Sequence, residues 1–280
     1  MDRSEEKRLR NIAVDLREDI VRIGHTCDFG VHLGGTLSLA EIVSVLYFHV
    51  LRVDPDKPKW PQRDRLVLSK GHGNLVLNAA LARRGFFPLE ELEQFNELTC
   101  PYSMHADWKR VPGVDASAGS LGHGLPISVG MALASRVEGA SWRTYCIVSD
   151  GEMMEGSSWE AMMSAAHYGL DSLTAIVDRN RFSLDGRTQD VMTLEPLVEK
   201  CRGFGWTTIE VDGHDVAELV DALSPEAREA GRPTIVIANT VKGSGVSFLE
   251  NRTSSHFGHL SEEDFKQAQA EVEQMRARIA

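Results

Sequence analysis

The stretch that decides the fold runs from residue 144 to residue 188 and reads TYCIVSDGEMMEGSSWEAMMSAAHYGLDSLTAIVDRNRFSLDGRT. Its first part, 144–148, consists of β-branched, aromatic and apolar residues, and this composition predicts a buried strand. A helix is predicted over 157–169, where Gly169 provides a natural end. A second apolar run, 173–177, predicts another buried strand, so the stretch indicates a strand–helix–strand unit with two parallel strands.

Polar residues follow both predicted strands. Asp150 and Gly151 come after the first strand, and Asn180 follows the second. Because the carboxyl ends of parallel strands meet at one edge of a sheet, we expect Asp150 and Asn180 to face the same point. A carboxylate and an amide oxygen are hard ligands that suit Mg²⁺ or Ca²⁺, which also retain water and phosphate oxygens. The alternative is an ordinary strand–helix–strand unit whose turns contain an aspartate and an asparagine.

Strands and helices are predicted to alternate along the whole chain. Further strands are predicted at 65–68, 207–211 and 234–239, and further helices at 4–23, 42–51, 74–84, 88–95, 118–137, 194–202, 216–223 and 261–279, with a capping box at 38–41. This alternation predicts an α/β fold with a doubly wound, mainly parallel sheet and helices on both faces. We expect residues 1–280 to form a single domain.

Composition and charge narrow the class of protein. The 280 residues include 30 basic and 41 acidic side chains, and the net charge of −11 makes nucleic acid and anionic membranes unlikely partners. The four cysteines contain no C-x-x-C pair, which indicates free thiols in the cytoplasm: Cys27, Cys100, Cys146 and Cys201. The charged N-terminus predicts no signal peptide, and no apolar run approaches the length of a membrane span.

Four of the ten histidines lie in loops, three of them close to glycine residues: His32, His72, His105 and His256. Glycine lets the backbone approach a ligand closely, and an imidazole can donate, accept or carry a proton. Any one loop histidine is more simply interpreted as a solvated bystander. The four together favour a polar pocket.

The motifs around these residues resemble the transketolase family. Asp150-Gly151, the acidic Glu155 and Asn180 resemble its thiamine diphosphate motif. Three further motifs occur in the order of the family, namely SKGH at 69–72, VPGVDASAGSLGHG at 111–124 and VKGSGVSFLEN at 241–251. The similarity extends from about residue 24 to residue 256. Family members usually have glycine in place of Ser149 and glutamine in place of His123, whose role stays open.

The resemblance implies a role for each of these residues. It implies that thiamine diphosphate and Mg²⁺ (or Ca²⁺) are the cofactors, and that Asp150, Asn180 and the backbone carbonyl of Phe182 bind the metal. Catalytic contacts to the donor sugar are implied for His32, His105 and His256, with His259 as a rival to His256. Cofactor contacts are implied for His72, Gly119, Leu121, Asp150, Gly151, Glu155, Asn180 and Lys242, of which Glu155 would connect paired cofactor sites.

The resemblance also implies a partner chain. Transketolases contain a second domain that binds the aminopyrimidine and supplies an activating glutamate, and the 280 residues show no second module of this kind. We therefore expect the N-terminal subunit of a split transketolase, which transfers a two-carbon ketol unit from a ketose to an aldose. The partner would be a pyrimidine-binding C-terminal subunit in an α₂β₂ assembly, with 118–137 forming part of the interface and sugars or sugar phosphates as substrates.

Two alternatives stand beside this interpretation. In the first, the chain is a subunit of another thiamine diphosphate enzyme, such as a 2-oxo acid dehydrogenase or a deoxyxylulose-phosphate synthase. In the second, it is a non-catalytic homologue that binds the cofactor. The histidines at sugar-contacting positions argue against the dehydrogenase, and the intact metal ligands argue against a non-catalytic protein.

Overall fold

The computed structural model describes residues 1–279, and its centre is a sheet of five strands. The strands are β1 (Arg65–Leu68), β2 (Thr144–Ser149), β3 (Leu173–Arg179), β4 (Thr207–Asp212) and β5 (Thr234–Asn239), in the spatial order β1-β2-β3-β5-β4. All four neighbouring pairs are parallel. The predicted parallel sheet is therefore confirmed.

Ten α-helices accompany the sheet within residues 1–279: α1 (Arg3–Thr26), α2 (Leu33–Leu37), α3 (Ala40–Val45), α4 (Asn74–Arg84), α5 (Gly124–Glu138), α6 (Gly156–His167), α7 (Thr188–Val191), α8 (Leu197–Gly203), α9 (Val216–Leu223) and α10 (Glu262–Ile279). The end of α3 continues into a π-helical turn, Leu46–Val50. Short 3₁₀ segments occupy Gly71–Gly73, Leu89–Gln94, Gly151–Met154, Pro225–Ala227 and Thr253–Ser255.

Helices cover both faces of the sheet, as predicted. Successive side chains of a strand point to opposite faces, and along β2 they enter two different hydrophobic cores. Tyr145 and Ile147 pack with α1, α3, α4 and α9, whereas Cys146 and Val148 pack with α5, α6 and α8. The burial of both faces explains why the strand sequences are almost continuously apolar.

The capping box predicted at 38–41 is wrong. The Ser38 hydroxyl donates to the carbonyl of Gly35 and to the carboxylate of Asp178 instead of capping a helix. Glu41 forms two hydrogen bonds with the fully buried guanidinium of Arg17, at 2.6 and 2.7 Å. A buried arginine requires a carboxylate partner, and this tertiary demand overrides the local capping pattern.

Two of the predicted helices also differ from the structure. The helix predicted at 88–95 is a 3₁₀ segment, Leu89–Gln94, and the predicted helix 118–137 begins only at Gly124. Gly122 adopts a φ of +82°, which a right-handed helix excludes. One face of α5 is also open to solvent, since Val137 is 85% exposed, so this helix is not buried on all sides.

No helix in the described part of the chain is both long and apolar enough to cross a membrane. All four cysteines are free and buried.

Candidate active site

A cleft of about 370 Å³ lies at the carboxyl edge of the sheet, where β2 and β3 end. The predicted site residues that line it are His32, His72, His105, Gly119, Leu121, Gly151, Glu155, Asn180, Phe182, Lys242 and His256. Asp150 is 1% exposed and lies between Ser149 and Gly151, which both line the cleft. Residues from eight separate chain segments therefore converge on one cavity.

Two histidines whose roles the sequence left open lie outside the cleft. His259 is exposed, and its Nε2 lies 2.6 Å from the backbone carbonyl of His25. His123 is exposed at the residue before α5. Of the two rivals in the C-terminal motif, His256 is thus the residue that the fold brings to the cleft.

Asp150 is held where β2 ends by backbone hydrogen bonds. Its Oδ1 accepts from the N–H of Gly151 at 2.8 Å, and its Oδ2 accepts from the N–H of Arg181 at 2.6 Å. The second bond crosses from β2 to the turn after β3, where Arg181 has a φ of +68°. Because a carboxylate oxygen can accept more than one bond, each oxygen retains a site for a further ligand.

The amide of Asn180 has a fixed orientation. Its Nδ2 donates to Asp178 at 3.1 Å, and its Oδ1 accepts from the N–H of Phe182 at 3.1 Å. Asp178 thus determines which end of the amide is available as an oxygen ligand. Outer hydrogen bonds of this kind commonly orient metal ligands.

Asp178 is the centre of a buried network that the sequence analysis missed. It is 0% exposed and accepts from Lys70 Nζ, Ser38 Oγ, Thr240 Oγ1 and Asn180 Nδ2. Lys70 is also 0% exposed, and its ammonium donates a second bond to the carbonyl of Gly35 at 2.8 Å. The only sequence signal for this pair is a lysine in SKGH and an aspartate two residues before Asn180.

A second buried carboxylate, Glu152, was also missed. It accepts from the hydroxyl of Ser69, from the N–H of Gly122 at 2.8 Å and from the N–H of Ser149 at 3.3 Å. Burial raises its pKa. These bonds tie the loop that contains Gly119 and Leu121 to the ends of β1 and β2.

Glycine is required where the loops of the cleft meet. A Cβ on Gly71 would lie 2.4 Å from the carbonyl oxygen of Ala118, which is far inside van der Waals contact. A Cβ on Gly119 would lie 3.1 Å from Cδ2 of His105. The glycines in the two motifs therefore allow the segments around His72 and Gly119 to pack against each other.

The four predicted histidines form one cluster. The ring centroid of His32 lies 5.4 Å from that of His72, 5.2 Å from that of His256 and 6.3 Å from that of His105. The rings of His72 and His256 are 5.3 Å apart. His32 Nδ1 is buried and has no hydrogen-bond partner among residues 1–279. Such a cluster presents several polar ring atoms to one ligand.

The electrostatics of the cleft favour neutral imidazoles. Burial, together with neighbouring histidines and Lys70, lowers the pKa of His32 to about 4. Burial and the charges of Lys242 and Lys70 lower the pKa of His256 to about 4. Neutral imidazoles can both donate to and accept from sugar hydroxyls near pH 7.

The pH dependence of these histidines is directly measurable. We expect the ring protons of His32 and His256 to titrate in NMR spectra with midpoints near 4 rather than near the ordinary 6.5. The unfolded chain takes up these protons near 6.5, so the two residues should destabilise the folded chain as the pH falls from 6.5 to 4. His256→Gln assigns one signal by its disappearance, and midpoints between 6 and 7 would contradict the buried placement.

The oxygen donors fit a hard divalent cation. Burial and the neighbouring charge of Asp178 raise the pKa of Asp150 to about 7. A cation bound to Asp150, Asn180 and the Phe182 carbonyl would favour the ionised carboxylate. No group of three or more histidine, cysteine, aspartate or glutamate side chains in the described residues is arranged to hold a metal. Oxygen ligands are those that Mg²⁺ and Ca²⁺ prefer.

A lysine side chain of the protein lies beside these oxygen ligands. Lys242 is 1% exposed, its ammonium donates to the carbonyl of Ser183 at 3.2 Å, and it lies 5.5 Å from the ring centre of Phe182. Burial and the charge of Lys70 lower the pKa of Lys242 to about 8. Lys242 lines the cleft and brings a positive charge to it in an acidic protein, which suits a diphosphate, whereas the charge of Lys70 is paired with Asp178.

Comparisons with known proteins agree with this geometry. The family model described as transketolase, thiamine diphosphate binding domain, matches residues 8–275. The 6-deoxy-6-sulfo-D-fructose transketolase subunit SqwG of Clostridium sp. (strain MSTE9) is 46% identical over 242 residues, which cover 86% of this chain and 88% of that protein. An apulose-4-phosphate transketolase subunit of Phocaeicola vulgatus is 38% identical over 256 residues, which cover 91% of this chain and 90% of that protein.

Solved structures give the same result. The transketolase from Leishmania mexicana superimposes with a TM-score of 0.85 at 30% identity, over 98% of this chain and 43% of the other. The chain thus spans less than half the length of that transketolase. The motifs, the parallel sheet and the match over residues 8–275 all agree, and this chain belongs to the transketolase family, in which it corresponds to the thiamine diphosphate-binding domain.

Proposed function

We propose that this chain is the thiamine diphosphate-binding subunit of a two-chain transketolase and takes part in ketol transfer from a ketose to an aldose. The observation that carries the proposal is the convergence, in one cleft, of the Asp150–Asn180 oxygen pair with four neutral histidines. When bound, thiamine diphosphate supplies the electron sink for breaking and forming the carbon–carbon bond. The protein supplies binding, orientation and proton transfer.

The site residues divide into two groups in this proposal. Asp150, Asn180 and the carbonyl of Phe182 hold Mg²⁺, or Ca²⁺, against the diphosphate. His72 and Lys242 contact the diphosphate, while Gly119, Leu121, Gly151 and Glu155 form the remaining cofactor contacts. Support comes from the shared cleft and from the positive charge of Lys242 in its lining.

His32, His105 and His256 act on the sugar. Their rings lie within one cluster around His32, so they can contact adjacent hydroxyls of one donor. A neutral imidazole accepts a proton on one nitrogen while it donates from the other, which is what ketose cleavage and acceptor addition require of a general acid–base group.

A partner chain completes the site in this proposal. The two similar proteins from Clostridium and Phocaeicola are described as transketolase subunits, and this chain covers most of their length. Exposed apolar residues on α5 and α6 support a partner surface here, because Val137 is 85% exposed and Met163 is 62% exposed. We propose that the partner is a pyrimidine-binding subunit and that the two chains form an α₂β₂ assembly in the cytoplasm. We also propose that residues 1–280 form a single domain.

The substrates are proposed to be anionic sugars. The relatives are named for 6-deoxy-6-sulfo-D-fructose and apulose-4-phosphate, and both of these sugars contain an anionic group.

An assay of acyl transfer to lipoamide would separate the proposed ketol transfer from the reaction of a 2-oxo acid dehydrogenase.

The histidine assignment is tested by His105→Ala in the complex with the partner. Loss of the His105 imidazole should raise the KM for the donor or lower kcat, by about 10²-fold to 10⁴-fold if His105 transfers protons. The affinity for thiamine diphosphate should stay nearly unchanged. His259→Ala is the matched control, since His259 lies outside the cleft. A loss of cofactor binding with intact donor kinetics would show that His105 is wrongly placed.

A further inference from the structure

Two adjoining cavities lie at the amino edge of the sheet, opposite the candidate active site. One has a volume of about 430 Å³ and the other about 480 Å³. Both are lined by Arg143, Pro225 and Arg228. Arg143 is the residue before β2, and Arg228 follows the 3₁₀ segment Pro225–Ala227. The amino end of β2 and the segment after α9 thus bring two guanidinium groups to the same pair of cavities.

Within residues 1–279 neither guanidinium group forms an ion pair, although the backbone N–H of Arg143 donates to Asp64 Oδ1 at 2.8 Å. Among residues 1–279, no carboxylate oxygen lies within 4.0 Å of the guanidinium nitrogens of Arg143 or Arg228, although the chain contains 41 acidic and 30 basic side chains. Arg228 donates to the carbonyl of Leu223 at 3.0 Å and to the hydroxyl of Tyr145 at 2.9 Å. Arg143 has only a long contact of 3.5 Å with the carbonyl of Asp171. Two half-buried arginines side by side repel each other unless an anion lies between them.

The nearby carboxylates are already engaged. Asp64 binds the guanidinium of Arg52 at 2.8 and 3.2 Å. Glu229 pairs with Arg232, and Asp171 accepts from the N–H of Gly231. The one further carboxylate in the walls is Glu226, which is exposed at the rim. These carboxylates reduce the positive charge in the cavities but form no ion pair with Arg143 or Arg228, and burial together with the charge of Arg228 still lowers the pKa of Arg143.

Tyr145 adds a neutral donor to this pair. Its side chain is 1% exposed, its hydroxyl accepts from Arg228, and it lines the 430 Å³ cavity. Burial raises its pKa, so the hydroxyl keeps its proton. An oxygen that accepts from an arginine directs its own proton elsewhere, and here that proton is available to a ligand in the cavity.

We propose that Arg143, Arg228 and Tyr145 form a binding site for a phosphate or sulfonate group, separate from the catalytic cleft. Guanidinium groups match the oxygens of such a tetrahedral group with paired, charge-assisted hydrogen bonds. The site lies at the opposite end of β2 from Asp150, so an anion bound here contacts the strand that ends in the metal ligand. The proposal does not depend on the catalytic function.

Calorimetric titration of the full chain with inorganic phosphate at constant ionic strength tests the site. The double variant Arg143→Gln/Arg228→Gln should weaken phosphate binding by about tenfold or more. Arg202→Gln, an exposed arginine on α8 outside both cavities, should bind phosphate as the unmodified chain does. Lys242→Met removes the proposed diphosphate contact of the cleft, so phosphate binding in the cleft should weaken in this variant while binding at the arginine pair is retained.

The outcomes distinguish phosphate binding at the arginine pair from phosphate binding elsewhere on the chain. Unchanged phosphate affinity in the double variant, or loss of binding in Lys242→Met alone, would overturn the proposal. If the double variant fails to fold by circular dichroism, Tyr145→Phe keeps the ring and should still weaken binding measurably, and an unchanged affinity there would count against the site. Fructose 6-phosphate that binds more tightly than inorganic phosphate identifies a sugar phosphate as the ligand, and equal affinity identifies the anionic group itself.

Discussion

The purified chain on its own is expected to show almost no ketol transfer, and addition of a pyrimidine-binding partner should restore it. The cleft supplies oxygen ligands, a lysine and histidines. The residues that bind the aminopyrimidine of the cofactor, and the activating glutamate, are assigned in our proposal to the partner. Loss of an essential proton-transfer group typically costs about 10²-fold to 10⁴-fold in rate, and the absent half of the site adds to this loss. We therefore expect the chain alone to be at least about a thousandfold slower than the complex.

The experiment compares the chain alone, the partner alone and their mixture in a coupled ketol-transfer assay. Light scattering of the mixture should show a heteromer, with an interface larger than about 2,000 Å² in total as expected of a permanent complex. Substitution of Val137 and Met163 by aspartate should reduce assembly, because both are exposed apolar residues on α5 and α6. Ketol transfer by the chain alone at the rate of the complex would rule out the two-chain proposal.

Asp150→Ala is expected to weaken thiamine diphosphate binding by more than tenfold, or about 1.4 kcal/mol. The change removes the one charged side chain of the proposed metal site. It also removes the acceptor that ties the N–H of Arg181 to β2. Calorimetric titration with thiamine diphosphate in the presence of Mg²⁺ measures the loss.

Asp221→Ala is the matched control for this variant. Asp221 is an exposed carboxylate on α9, away from the cleft, and its removal should leave cofactor affinity unchanged. Asn180→Asp should also weaken cofactor binding, because it adds negative charge beside the diphosphate. If Asp150→Ala binds the cofactor as the unmodified chain does, Asp150 is not a ligand of the metal.

Strands and several helices could be predicted from local sequence because their burial is encoded in short apolar runs. The predicted bounds of β1, β5, α4 and α9 agree with the structure to the residue. The strands at both sides of the cleft have unbroken apolar sequences because both faces of the sheet are covered. The candidate site residues converge for the same reason: parallel strands deliver their polar ends to one edge.

Interactions between distant segments could not be predicted in this way. Three of the four side chains that donate to Asp178 lie 62 to 140 residues away in sequence. No local pattern distinguishes Lys70 from an exposed lysine in a loop, yet it is fully buried. The capping box failed for a related reason, since Glu41 looked like a local helix signal and serves a distant arginine. The arginine pair at the opposite edge of the sheet has no sequence motif.

The Asp178 network also has a consequence for how the chain folds. Its donors come from Ser38, Lys70 and Thr240, so the network cannot close until the segments before β1, after β1 and after β5 have all reached β3. Contacts between residues so far apart in sequence form slowly, because long loops must first be ordered. The cofactor cleft should therefore be among the last parts of the chain to form. A ligand that binds only this completed state shifts the folding equilibrium toward it, so thiamine diphosphate with Mg²⁺ should raise the melting temperature of the chain.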